Sequence, residues 1–160
     1  MALNLLKTDI TPVDGLYTYM PNTPQPHNGI VSDLVTDDAP LKAGDLVTYD
    51  TTATNANCPV IKRAGVTDPV CGIIPFDMIK KTYFAKDEVM FAIEGSYVYK
   101  KTAGPIAQGA KLYFNENMEV TSTATAGNSI VGIANTYAAT AQGLVQVKIK
   151  PETTTAPAQE

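Results

Sequence analysis

Hydrophobic and polar side chains alternate along much of this chain with a period of two. The pattern is clearest near the C-terminus, where Val145, Val147 and Ile149 occupy one side and Gln146 and Lys148 the other. Such alternation is typical of half-buried β-strands. Helical periodicity is nearly absent, and glycine, proline and asparagine turns separate the short strands at roughly ten-residue intervals. The pattern therefore predicts an all-β fold, a compact β-barrel or sandwich.

The same order of strands occurs twice in the sequence. A glycine-led strand, a polar strand, a glycine turn, a Val-x-Gly-Ile type strand and a long amphipathic strand follow one another in both copies. In the first copy these elements include residues 44–50, Gly65, 70–76 and 88–94, and in the second copy residues 109–115, Gly127, 130–134 and 143–149. We therefore predict one β-barrel domain over residues 30–150, built from two tandem pseudo-repeats at about 41–100 and 105–150.

The two ends of the chain differ from this domain. Residues 1–29 are rich in proline and asparagine, and prolines 21, 24 and 26 exclude a central strand because proline donates no backbone hydrogen bond. We expect an extended N-terminal arm there. Residues 151–160 carry no large apolar side chain to offset the entropy of ordering. We expect a disordered, flexible C-terminal tail.

Composition narrows the classes of partner. The chain has 160 residues and a formal net charge of −4, which argues against nucleic acid, because phosphate binding needs a basic surface. No apolar run approaches the roughly 20 residues of a membrane helix, and no secretion signal is evident, so we expect synthesis in a cytoplasm. The two cysteines, Cys58 and Cys71, fit either a disulfide between paired strands or two buried thiols, and the second interpretation is favoured.

Residues that carry chemistry are sparse. The single histidine, His27, lies in the proline-rich arm, which is a poor platform for a general base. Two adjacent acid pairs, at 37–38 and 87–88, are read as solvated turn residues, because neighbours in a strand face opposite sides. No phosphate-binding glycine loop occurs. We predict no catalytic residue, no metal site and no cofactor, and hence a protein that is not an enzyme.

Tyrosines are the best candidates for an interface. Tyr17 and Tyr19 lie in the arm, where no local core is available for their rings, so an interface role is favoured. Tyr97 and Tyr99 alternate on one strand. For these two, capping of the barrel and contact with a partner are equally supported.

Taken in order, several segments resemble a known family. They are Ala43-Gly44-Asp45-Leu46-Val47, Val70-Cys71-Gly72-Ile73, 107–113, 127–134 and the closing strand 143–149. This succession is similar to the small capsid decoration, or cement, proteins of tailed bacteriophages, and it covers about residues 40–150. The chain departs from the family pattern in its longer, proline-rich N-terminal region and in an insertion at residues 75–86.

The resemblance implies a function and partners. It implies a virion structural protein on the capsid exterior that binds the major capsid protein, cements neighbouring capsid subunits and associates with itself, a homotrimer being favoured over a homodimer. The alternative is a head-fibre base or a carbohydrate- or ligand-binding β module. Candidate capsid or oligomer contacts are Leu5, Leu6, Tyr17, Tyr19, Pro21, Pro24, Pro26, Tyr97 and Tyr99.

Overall fold

A computed structural model describes residues 12–18, 22–53, 57–125 and 127–152 of the chain. Within these residues there are strands and turns and no helix, so the predicted all-β class is confirmed. The strands are β1 (Tyr17–Thr18), β2 (His27–Val31), β3 (Leu41–Lys42), β4 (Leu46–Tyr49), β5 (Val60–Arg63), β6 (Gly72–Ile73), β7 (Thr82–Tyr83), β8 (Glu88–Phe91), β9 (Tyr97–Lys101), β10 (Lys111–Phe114), β11 (Val120–Thr121), β12 (Ile130–Ala134) and β13 (Leu144–Glu152).

The strands form two larger sheets and one small ribbon. The first sheet has five strands in the order β6-β4-β5-β2-β8, and a bridge between Ile73 and Ala92 brings its two edges together into a nearly closed barrel. The second has six strands in the order β1-β9-β13-β12-β10-β11 and curves into a half-barrel. A two-stranded ribbon of β3 and β7 accompanies the first sheet.

The two sheets share one order of pairing. In the first sheet β2 runs antiparallel to β8 and parallel to β5, and β4 lies between β5 and β6. In the second sheet β9 runs antiparallel to β13, and Thr102, the residue after β9, forms a parallel bridge to Val120 of β11. The strand β10 lies between β11 and β12, as β4 lies between β5 and β6. The strand β9 thus takes the place in the second sheet that β2 takes in the first. We call the five-stranded sheet the first unit and the six-stranded sheet the second unit. The sequence boundaries of a repeat stay a prediction.

Each unit has its own apolar interior. Val31, Val47, Ile61 and Phe91 belong to the cluster inside the first barrel. The second cluster is built on β9 to β13, and it also includes Leu46 and Ile73 of the first sheet. Because strand side chains alternate, neighbours of the residues inside the first barrel point outward and join the two units.

Strands extend into both predicted terminal segments. The strand β2 begins at His27, within the predicted arm, and β1 pairs with β9 through Tyr17 opposite Val98. At the other end β13 continues to Glu152, which faces Ile130 across the ladder and pairs with Lys111 at 3.2 Å. Residues 153–160 of the predicted tail lie outside the described residues.

Candidate functional site

The structure separates the predicted contact residues into two groups. Tyr17 and Pro26 line one cleft, and Tyr17 donates a hydrogen bond to the carbonyl of Pro24 at 2.7 Å. Tyr97 and Tyr99 lie on β9, with their side chains on the opposite side of the sheet from the inward-facing Val98. Four of the predicted residues lie outside the described part of the chain, namely Leu5, Leu6, Tyr19 and Pro21.

The described part of the arm is fixed to β9 by backbone hydrogen bonds. The Gly15 amide donates to the Tyr99 carbonyl at 2.7 Å, and the Tyr99 amide donates to the Leu16 carbonyl at 2.9 Å. The Lys101 amide donates to the Asp14 carboxylate at 2.8 Å. These bonds hold residues 14–16 beside β9, next to the point where β1 (Tyr17–Thr18) pairs with it.

A buried lysine holds the same segment from inside. Lys100 is fully buried, and its Nζ lies 3.1 Å from Oδ1 of Asp14 and also donates to the carbonyl of Gly44. Burial lowers the pKa of Lys100, and the charge and hydrogen bond of Asp14 oppose that shift. The ammonium group therefore ties the arm to the turn that opens β4.

The predicted insertion forms an exposed apolar surface beside the arm. The Phe76 amide donates to the Gly15 carbonyl at 2.7 Å, which places the start of the insertion against the arm. Beyond it the side chains of Met78 and Ile79 are 84% and 94% exposed. A cleft of about 460 Å³ separates this loop from β8. We name this region the insertion surface and define it by Tyr17, Pro26, Phe76, Met78, Ile79 and Met90.

The second group of predicted residues forms a more polar face. Tyr97 faces Lys148 and Tyr99 faces Gln146 across the pairing of β9 with β13. The Lys148 ammonium lies 5.8 Å from the centroid of the Tyr97 ring, within the range of a cation–π interaction. We name these four residues the tyrosine face. Both of its tyrosine rings are half-buried.

Reactive groups elsewhere are not arranged for nucleophilic catalysis. A cleft of about 610 Å³ gathers His27, Tyr49, Cys71 and other polar residues, and in the described part of the chain no hydrogen bond joins any two of its side chains. Burial raises the pKa of the Cys71 thiol to about 12, so it stays protonated at neutral pH and is a poor nucleophile. His27 instead packs edge-on against Phe91, with ring centroids 6.0 Å apart. Cys58 and Cys71 are both free thiols.

The described residues contain neither a candidate metal site nor a candidate membrane-spanning helix. No group of three or more histidine, cysteine, aspartate or glutamate side chains there is placed to hold a metal ion. Nor does that part of the chain contain a helix with the length and apolar character needed to cross a bilayer.

Sequence reasoning missed two important features of this region. The exposure of Met78 and Ile79 was not foreseen, and neither was the ion pair between Asp14 and Lys100. The lysine did leave a signal, because alternation along β9 puts it on the same inward side as Val98. A charge at an inward position requires a partner.

Comparison with known proteins identifies a family. The profile of a family described as phage cement protein matches residues 25–149, which is more than half of the chain. The matched range includes both sheets except β1 and the last residues of β13. No curated protein matches the chain.

Proposed function

Because the chain belongs to the phage cement protein family, we propose that it binds the outer surface of a bacteriophage capsid and cements neighbouring major capsid proteins. The family indicates a virion structural role. In this proposal the protein acts through adhesive surfaces on a rigid β body, without catalysis. It is an oligomer on the capsid exterior, since several weak contacts made together give strong retention.

The family match carries the proposal of capsid binding, and the exposure of Met78 and Ile79 supports association of the protein with partners. Adjacent side chains that are 84% and 94% exposed cost solubility in a protein that works alone. Methionine and aromatic residues are enriched in protein interfaces, and Phe76 and Tyr17 adjoin this pair. Such a surface is expected on a protein that is covered by partners in its working state.

The two surfaces suit different partners. Contacts between permanently associated copies are the more apolar kind, whereas a contact made by a folded protein on an assembled shell resembles ordinary surface in polarity. The insertion surface fits the first description, and the tyrosine face, whose exposed polar side chain is Lys148, fits the second. We therefore assign capsid binding to the tyrosine face. The Lys148 ammonium over the Tyr97 ring leaves that ring poorly placed for stacking on a sugar, so the carbohydrate-binding alternative is not favoured.

Capsids that lack the protein provide the direct test. Purified protein added to them is expected to bind and to raise the temperature at which they release DNA, measured by dye access during heating. Equal heat resistance with and without the added protein would overturn the proposal.

A charge reversal tests the assigned face. We expect Lys148→Glu to raise the Kd for capsids about tenfold, equivalent to about 1.4 kcal/mol, by reversing a charge at the contact. The matched control is Lys86→Glu, at an exposed lysine that has only a 3.8 Å pair with the equally exposed Asp33. Occupancy is read from gel densitometry of purified particles. If both variants bind like the parent protein, the tyrosine face does not contact the capsid.

A further inference from the structure

The two units differ at one antiparallel pairing of strands. Ile73 bridges Ala92 in the first unit, and Ile133 faces Lys148 in the second. Both pairs are antiparallel. Two residues further along the chain, position 75 would therefore face position 90 in the first unit, and position 135 faces position 146 in the second unit. These are corresponding places in the two units.

Only the second unit continues the backbone pairing at this place. The Asn135 amide donates to the Gln146 carbonyl at 2.7 Å, and the Gln146 amide donates to the Thr136 hydroxyl at 3.0 Å. The first unit has Pro75 at the corresponding place, and proline has no amide hydrogen to donate to the Met90 carbonyl. The pairing therefore stops, and the chain turns away from β8 into the insertion.

The turn leaves one edge of β8 open. Val31 on β2 donates to the Asp87 carbonyl at 2.9 Å, and hydrogen-bonding groups alternate sides along a strand. The backbone groups of Glu88 and Met90 therefore face away from β2, as those of Ala92 do in its bridge to Ile73. Among the described residues no strand pairs with β8 on that side before Ala92.

The open edge borders the apolar cleft of the insertion surface. Met90 lies along β8, and Phe76, Met78 and Ile79 form the facing wall. An unpaired strand edge beside exposed apolar side chains is a ready site for an added strand. The incoming segment would make main-chain hydrogen bonds to β8, and its alternate side chains would enter the cleft.

From this geometry we infer that the open edge of β8 accepts the N-terminal segment, residues 1–11, of a second copy of this chain as an added strand. That segment contains Leu3 and Leu5 at a spacing of two, followed by Leu6 and Ile10. It continues from Pro12, and the neighbouring Val13 lines a second cleft together with Phe76. The seven steps along the chain from Leu5 to Pro12 span up to about 24 Å when extended, enough to reach an adjacent copy.

Exchange of this segment gives a closed assembly. Each copy donates one segment and receives one, so the contact is head-to-tail and closes into a ring when the rotation between copies allows it. The predicted homotrimer is such a ring. The exchange also covers Met78 and Ile79 before the protein meets a capsid, which removes the solubility cost of their exposure.

Two measurements on the free protein test this inference. Deletion of residues 1–11, which removes no described residue, is expected to lower the mass measured by light scattering to that of one chain. Met90→Lys, which leaves the segment intact and puts a charge on an exposed cleft position, is expected to do the same. An unchanged mass for both variants overturns the inference.

Cross-linking distinguishes the source of the strand. In a chain with Cys58 and Cys71 replaced by serine, Leu5→Cys protein is mixed and reassembled with Met90→Cys protein, and oxidation is expected to give a disulfide-linked pair of chains. Leu5→Cys mixed with Lys111→Cys, an exposed residue of the second sheet, is the control. No disulfide between the two mixed proteins, or one that forms only when capsids are present, overturns the inference. Because no capsid is needed, its failure leaves the proposed capsid binding untouched.

Discussion

Replacement of Gly132 by alanine is expected to prevent folding. A Cβ atom at this position would lie 2.1 Å from the carbonyl oxygen of Lys148 and 2.9 Å from the amide nitrogen of Lys150, both backbone atoms of β13. Since β12 and β13 are central strands, neither can move without breaking the ladder of the second sheet. We expect a loss above about 5 kcal/mol, which is comparable with the whole stability of many domains.

The measurement is a denaturant unfolding curve for soluble Gly132→Ala protein, or the soluble fraction where no folded protein is obtained. Gly104→Ala is the matched control, because a Cβ atom there would meet nothing within 4 Å. Its free energy of unfolding should stay within about 0.5 kcal/mol of the parent value. Normal stability for Gly132→Ala would mean that β12 and β13 do not pair at this distance.

Local strand identity was the part of the fold that the sequence revealed well. The alternation of Val145, Val147 and Ile149 with Gln146 and Lys148 predicts one strand, and these residues lie in β13 with the three apolar side chains buried. The prediction succeeds because side-chain direction in a strand depends only on the period of two, which is a local property. The all-β class follows from the same pattern.

The pairing of strands was beyond such reasoning. In the first sheet β2 runs parallel to β5, with Ile30 opposite Val60, and nothing near either strand in the sequence indicates this choice. Pro75 illustrates the same limit, because its effect depends on the bridge between Ile73 and Ala92, which forms only in the folded chain. Contacts between distant segments depend on the whole arrangement of sheets.

The candidate site, too, could be predicted from the sequence only in part. Tyrosines and prolines could be named as contact residues from their chemistry, and Tyr17 and Pro26 do lie beside the insertion, although their role in contacts stays a prediction. Met78 and Ile79 could not be named, since a short apolar run is as consistent with a core as with a surface. Only the folded chain shows that they are exposed.

Replacement of Asp14 by asparagine is expected to cost about 3–5 kcal/mol of unfolding free energy, the typical effect of removing one partner of a buried ion pair. Lys100 is fully buried, and within the part of the chain that the structure describes its other acceptor is the Gly44 carbonyl. In a chain of this size the loss corresponds to a fall of roughly 10 °C in Tm. Calorimetry of the parent and Asp14→Asn proteins measures it.

Two comparisons identify the buried charge as the cause. Asp33→Asn removes a carboxylate whose pair with Lys86 is 3.8 Å long and largely exposed, so its effect should be within about 0.5 kcal/mol. Lys100→Met removes the charge itself and leaves Asp14 partly exposed to water and still bound to the Lys101 amide. It should therefore destabilise less than Asp14→Asn, and the opposite order would show that the arm is held by something other than this pair.

The pH dependence gives an independent check with a defined sign. Burial already lowers the pKa of Lys100 in the folded protein, and loss of Asp14 removes the main influence that opposes this shift. Between the lowered folded pKa and the ordinary unfolded value near 10.4, the unfolded state binds more protons, so stability rises with pH. This window is wider in Asp14→Asn, and its stability deficit should therefore shrink as pH rises from 7 towards 10. A deficit that is constant over this range would exclude the charge of Lys100 as its origin.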